Sequence, residues 1–197
     1  MDNNKDLKVG EALLAYKKQD KHYTYADYIT WDDDFRCEII DGNIYMMSAP
    51  TRRHQEILGN LHFQFYSFLK GKTCKVYLAP FDVRLNADTK DDIIVQPDIV
   101  IICDNGKLNE AGCKGAPDIA VEILSPSTFE HDKHLKFKKY FEAGVREYWI
   151  IDPEKETLEV YLLEEEYKIT HAYNKTENTP VRTLPGCVID LADVFEE

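Results

Sequence analysis

The sequence predicts an α/β fold, α+β on a stricter reading, with a mixed central β-sheet flanked by helices. Three observations predict it. A strand–helix–strand order runs through residues 116–151, and a helical crossover commonly joins parallel strands and packs on their sheet. Most of the remaining strand signals come as hairpins, which pair antiparallel. A long amphipathic stretch at residues 51–70 supplies a helix to cover one face.

The elements follow in order. Residues 9–19 carry Leu13, Leu14 and Tyr16 among charged neighbours and read as a short helix. Thr24 and Asp27 have capping-box spacing, so helical turns should run to about Thr30. The acid run Asp32, Asp33 and Asp34 reads as a solvated turn. Residues 36–47 read as a hairpin, because Asp41-Gly42 reaches positive φ cheaply between β-formers. On pattern alone Glu38, on its incoming strand, is an edge carboxylate facing water. In the helix that follows, Ile57, Leu58, Leu61, Phe65, Phe68 and Leu69 form one stripe. His54 shares that face, and Gly71 ends the helix.

Residues 74–85 read as two strands, or one bent at Pro80. Residues 95–103 and 116–125 read as buried strands rich in β-branched side chains. Ser127 and Glu130 make a second capping box, opening a helix over 128–143 that Gly144 ends. A buried strand at 145–151, a hairpin over 157–173 and a short strand near 188 complete the chain.

Length and composition bound the rest. A chain of 197 residues, 44% hydrophobic, is expected to form an N-terminal extension with a short helix over 1–22 and a single domain over 23–197. The start at Met1 lacks the basic and apolar stretches of a secretory signal, and no apolar run approaches the ~20 residues that cross a bilayer. The expectation is a cytoplasmic protein without a membrane partner. A net charge of −12 argues against a protein that coats DNA by charge alone. The five cysteines are an odd number without a close pair, against a disulfide framework or cysteine zinc site, and Cys103 reads as a small buried hydrophobe.

The chemistry lies in two acids. Asp98 opens one apolar strand, and Glu122 sits inside the other between Val121 and Ile123. Burying an unpaired carboxylate costs several kcal/mol, against a total stability of about 5–15 kcal/mol. Three compensations exist: a cationic side chain, a shifted pKa, or a metal. Of the lysines on the following helix, Lys136 borders the buried face and can reach back over the sheet, so a plain Lys136–Glu122 ion pair is the simplest account. A metal makes fuller sense of the group. Mg²⁺ (or Mn²⁺) takes oxygen ligands, and Asp98, Glu122 and the carbonyl of Ile123 provide such a set. A nearby lysine then orients or deprotonates water and stabilises phosphate charge. His131 and His134 form at most a zinc half-site, with no further partner in the pattern.

Residues Gln96-Pro97-Asp98, the run from Ala116 to Thr128 that contains Glu122, Asp132 with Lys136 and Tyr140, and the run from Gly144 to Trp149 carry a resemblance. With Glu38 through Gly42, His54 and Asp152-Pro153, they resemble the PD-(D/E)XK nuclease superfamily, and within it the Uma-type restriction-endonuclease-like group of bacterial proteins. The resemblance implies a restriction-endonuclease-like fold and a Mg²⁺-dependent DNA endonuclease working as a homodimer. It implies Asp98 and Glu122 as metal ligands, Glu38 as an upstream acid, and His54 at the edge of the site. Leu124 stands where the superfamily pattern expects lysine, and the resemblance moves that role to Lys136. The alternative is a catalytically inactive binding or interaction module on the same fold.

Overall fold

The computed structural model describes residues 21–31, 36–125 and 131–196. The expected helix at 9–19, the acid run at 32–34 and the Ser127–Glu130 capping box lie outside them. Among the described residues, no helix is long and apolar enough to cross a membrane.

After α1 (Tyr25–Tyr28), the Asp41-Gly42 turn joins β1 (Cys37–Ile40) to β2 (Asn43–Met46). Both turn residues take positive φ, 51° and 74°, as the hairpin requires. Helix α2 (Arg52–Leu69) starts where the Thr51 hydroxyl accepts from the backbone N–H of His54. Strands β3 (Lys75–Leu78), β4 (Val83–Arg84), β5 (Ile94–Val95), β6 (Ile99–Ile102), β7 (Leu108–Asn109), β8 (Gly112–Lys114) and β9 (Ile119–Ile123) follow. A π-helical turn (His131–Lys136) runs into α3 (Phe137–Ala143), which Gly144 ends in the left-handed region. Then come β10 (Glu147–Asp152), β11 (Thr157–Leu162), β12 (Ile169–Asn174), β13 (Asn178–Pro180), β14 (Val188–Asp190) and α4 (Leu191–Val194).

The mixed sheet expected from the strand–helix–strand pattern has the order β12-β11-β10-β9-β6-β3, with β9 and β10 parallel. A second mixed sheet, β2-β1-β5-β4-β8-β7, stands beside it, and β13 and β14 form a separate ribbon. The predicted strand over 95–103 is therefore divided between sheets. Pro97 has no N–H to give to a ladder, and the chain leaves the second sheet at Val95 and enters the first at Ile99. The buried strand expected at 145–151 is interior: β10 pairs on both sides, with β9 and with β11.

One face of the β9-containing sheet carries Ile99, Ile101, Ile119, Val121, Ile123 and Trp149, packed under Ile57, Leu61 and Phe65 of α2. The Phe65 and Trp149 rings lie 5.5 Å apart. The opposite face carries Val100, Ala120, Tyr148 and Ile150, packed with Tyr140 of α3 and with Val83 and Val95 of the other sheet. Each fully buried aliphatic side chain contributes roughly 1.5–3 kcal/mol. Apolar packing covers both faces of β6 and β9 where the sheets meet.

The cysteine reading needs correcting. Cys74 and Cys103 form a disulfide. Lys75 pairs with Ile102 across β3 and β6, so Cys74 and Cys103, one residue further on each strand, face each other. A separation of 29 residues conceals this in the sequence. Cys37, Cys113 and Cys187 are free and buried.

Candidate metal-assisted active site

The acids meet because of strand register. Ile99 of β6 lies opposite Val121 of β9 in an antiparallel pair. Asp98, one residue earlier, therefore stands across from Glu122. Asp98 is fixed further by the backbone N–H of Ile123, which donates to its Oδ2 at 2.7 Å. The other Asp98 contact comes from α2, where His54 Nε2 lies 3.2 Å from the same oxygen.

Glu38 comes from the other sheet. It is buried at 3% exposure rather than facing water, because β1 is covered by β5 on its second side. Its Oε1 accepts from the backbone N–H of Gln96 at 2.7 Å. The crossing segment at 96–98 thus presents one residue to Glu38 and the next but one to Glu122.

Lys136 closes the group. Its Nζ lies 2.8 Å from Glu38 Oε1, 3.0 Å from Glu122 Oε1 and 3.5 Å from Asp132 Oδ1. Tyr140 donates its phenolic O–H to Glu122 Oε1 at 2.7 Å. Spacing of four residues sets Asp132, Lys136 and Tyr140 in one column on the helix. Sequence reasoning gave Asp132 only as a mark of a resemblance, although its place four residues before Lys136 was a readable signal. Gln96 was missed as a support for Glu38; its contribution is a backbone N–H, which no pattern of side chains reveals.

The six residues expected at the site, Glu38, His54, Asp98, Glu122, Ile123 and Lys136, all line one cleft of about 570 Å³. The electrostatics are unbalanced. Burial pushes the Glu122 carboxyl well above its usual range; the Lys136 ammonium pulls it down, while the charges of Asp132, Asp98 and Glu38 push it up again. For Lys136, burial favours the neutral amine, but Glu122, Glu38 and Asp132 outweigh it and hold the ammonium charged. Its ammonium thus sits among three carboxylates, Glu38, Glu122 and Asp132. Burial also lowers the His54 pKa, yet its bond to Asp98 and the charge there leave it raised overall.

Four acids thus share one lysine and one histidine around a cleft. Excess carboxylate oxygen of this kind suits a hard divalent cation. Among the described residues, no group of three or more His, Cys, Asp or Glu side chains forms a metal-holding cluster. Asp98 and Glu122 are two side chains, and the third oxygen of the expected set is the Ile123 carbonyl. His134 of the zinc half-site is exposed, and the side chain of His131 lies outside the described residues.

The chain resembles a solved structure described as a putative nuclease of the DUF820 family from Anabaena variabilis. The TM-score is 0.72 at 21% identity, covering 88% of this chain and 97% of the other. That likeness shows that this chain shares that protein's fold. An uncharacterised Synechocystis protein, slr1290, is 30% identical over 121 residues, 58% of this chain and 60% of that protein's length. Residues 25–192 match the family described as "Uma2: Putative restriction endonuclease", and the chain belongs to that family.

Proposed function

We propose that the cleft hydrolyses phosphodiester bonds in DNA with the help of a divalent metal, Mg²⁺ or Mn²⁺. The observation that carries this reading is the convergence of Asp98, at the start of β6, Glu122 of β9 and Lys136 of the helical turn on the lining of one cleft. Asp98, Glu122 and the Ile123 carbonyl would hold the ion, which when bound polarises the phosphoryl oxygen and acidifies water. Lys136 offers a fixed positive charge toward a phosphate as negative charge grows on its oxygens. Glu38 and Tyr140 hold Lys136 and Glu122 in place. His54 orients Asp98 through Nε2, and its Nδ1 has no hydrogen-bond partner among the described residues. The same reading takes a homodimer as the working unit, so that two clefts meet two strands.

The test is incubation of plasmid DNA with the protein in Mg²⁺, Mn²⁺ or EDTA. Cleavage should need the metal and fall by more than about a hundredfold in Asp98→Asn and in Glu122→Gln. Cleavage that survives both substitutions contradicts the proposal.

One observation favours a second reading. Lys136 already stands at ion-pair distance from both Glu38 and Glu122, so these buried acids have a cationic partner without a metal. A non-catalytic binding module on this fold would show intact folding and no metal uptake by calorimetry.

A further inference from the structure

A second cleft of about 520 Å³ adjoins the first, and Arg36, Pro80 and Gln96 line both. Its size lies within the range of ligand sites. The aromatic side chains Tyr28, Trp31 and Phe81 line it. The Phe81 ring is backed by Tyr77, stacked at 4.4 Å with a 6° tilt, and Trp31 meets Tyr28 edge-on at 5.7 Å. Flat, braced aromatic surfaces are what nucleobases stack on.

The polar groups of this cleft are mainly acceptors. Gln96 spends its Nε2 on Asp82 Oδ1, at 2.8 Å, and on the Tyr28 hydroxyl, at 3.1 Å. Tyr28 in turn donates to Asp82 Oδ1 at 3.2 Å. Asp82 Oδ1 is thus saturated and the carboxylate is fixed, leaving Oδ2 as an acceptor. Gln96 is 7% exposed, and its Oε1 is buried without a partner among the described residues. Acids in the lining, Asp82 and Glu110, repel phosphate and accept N–H groups. Arg36, at the shared rim, is exposed and makes no ion pair among the described residues. It contrasts with Arg52, Arg53, Arg84 and Arg146, each matched to a carboxylate.

We infer that the second cleft is a base-reading subsite for the strand whose phosphate lies in the first. Asp82 Oδ2 and the unpartnered Oε1 of Gln96 beside it accept from the adjacent N–H donors of a guanine edge. Trp31 and Phe81 supply the stacking faces, and Arg36 grips the backbone phosphate between the two clefts. Guanine alone among the DNA bases presents a ring N–H and an amino group side by side, whereas thymine presents a single N–H. The inference rests on the phosphodiester reading above, and it adds a preference for guanine next to the bond that is cut.

Fluorescence tests it without metal and without turnover. The protein has two tryptophans; Trp149 is fully buried, so quenching by a small ligand reports Trp31. In EDTA, dGMP should quench saturably and bind about tenfold more tightly than dTMP. Asp82→Asn, which replaces an acceptor by a donor, should erase that preference. Glu122→Gln should keep it while losing DNA cleavage. Equal binding of dGMP and dTMP by the unaltered protein, or no quenching by either, overturns the inference whether or not any variant folds. If DNA is cleaved but no preference appears, only the base subsite fails. If the preference holds and no DNA is cleaved, the phosphodiester reading fails instead.

Discussion

Lys136 Nζ stands 3.0 Å from Glu122 Oε1 in a pair that is almost wholly shielded from water. Removing one partner of such a pair strands the other charge, a loss of about 3–5 kcal/mol. Lys136→Met should lower unfolding stability by that order in urea titration and abolish cleavage. A variant as stable as the parent would show that the ion pair is not what makes Glu122 tolerable.

Tyr140 separates chemistry from folding. Its hydroxyl donates to a charged acceptor, a bond worth about 1.5–3 kcal/mol, while its ring packs in the core. Tyr140→Phe keeps the ring. It should remain folded by circular dichroism, lose stability within that range, and cleave DNA more slowly because Glu122 is less firmly held.

His54 gives a pH signature in metal-free buffer. Its folded-state pKa is raised overall: burial pulls it down, but the bond to Asp98 and the charge there win. The stability it contributes is therefore complete below the ordinary histidine pKa and is lost as pH rises through the raised value. Subtracting the stability profile of His54→Gln from that of the parent should isolate a fall with rising pH. A flat difference would mean that the Asp98 contact carries no charge interaction.

Gly112 ties backbone geometry to the second cleft. Its φ is +124°, and an added Cβ would lie 2.2 Å from the carbonyl oxygen of Asp82. Gly112→Ala should destabilise the protein by more than about 1 kcal/mol and displace the Asp82 backbone, read as weaker Trp31 quenching by dGMP.

Much of the site was legible because its cause is local. Val121, Glu122 and Ile123 show an acid in an apolar strand, and the 3.6-residue period puts Lys136 at the border of a buried face. The mixed sheet, the long helix and the Asp41-Gly42 hairpin were legible for the same reason. What the sequence concealed depends on distant pairing. Glu38 reads as a water-facing residue until β5 covers β1. Cys74 and Cys103 read as isolated until β3 and β6 align. The strand before Ile99 reads as continuous, although Pro97 divides it between two sheets. The short β13 and α4 left no pattern strong enough to read.

The central claim is that Asp98 and Glu122 share a divalent ion beside Lys136. Crystals soaked in Mn²⁺ and measured at its absorption edge test it most directly. The account predicts an anomalous peak between the two carboxylates and within ligand distance of the Ile123 carbonyl. Absence of a peak there at saturating Mn²⁺, with Lys136 still seated between Glu38 and Glu122, would contradict it.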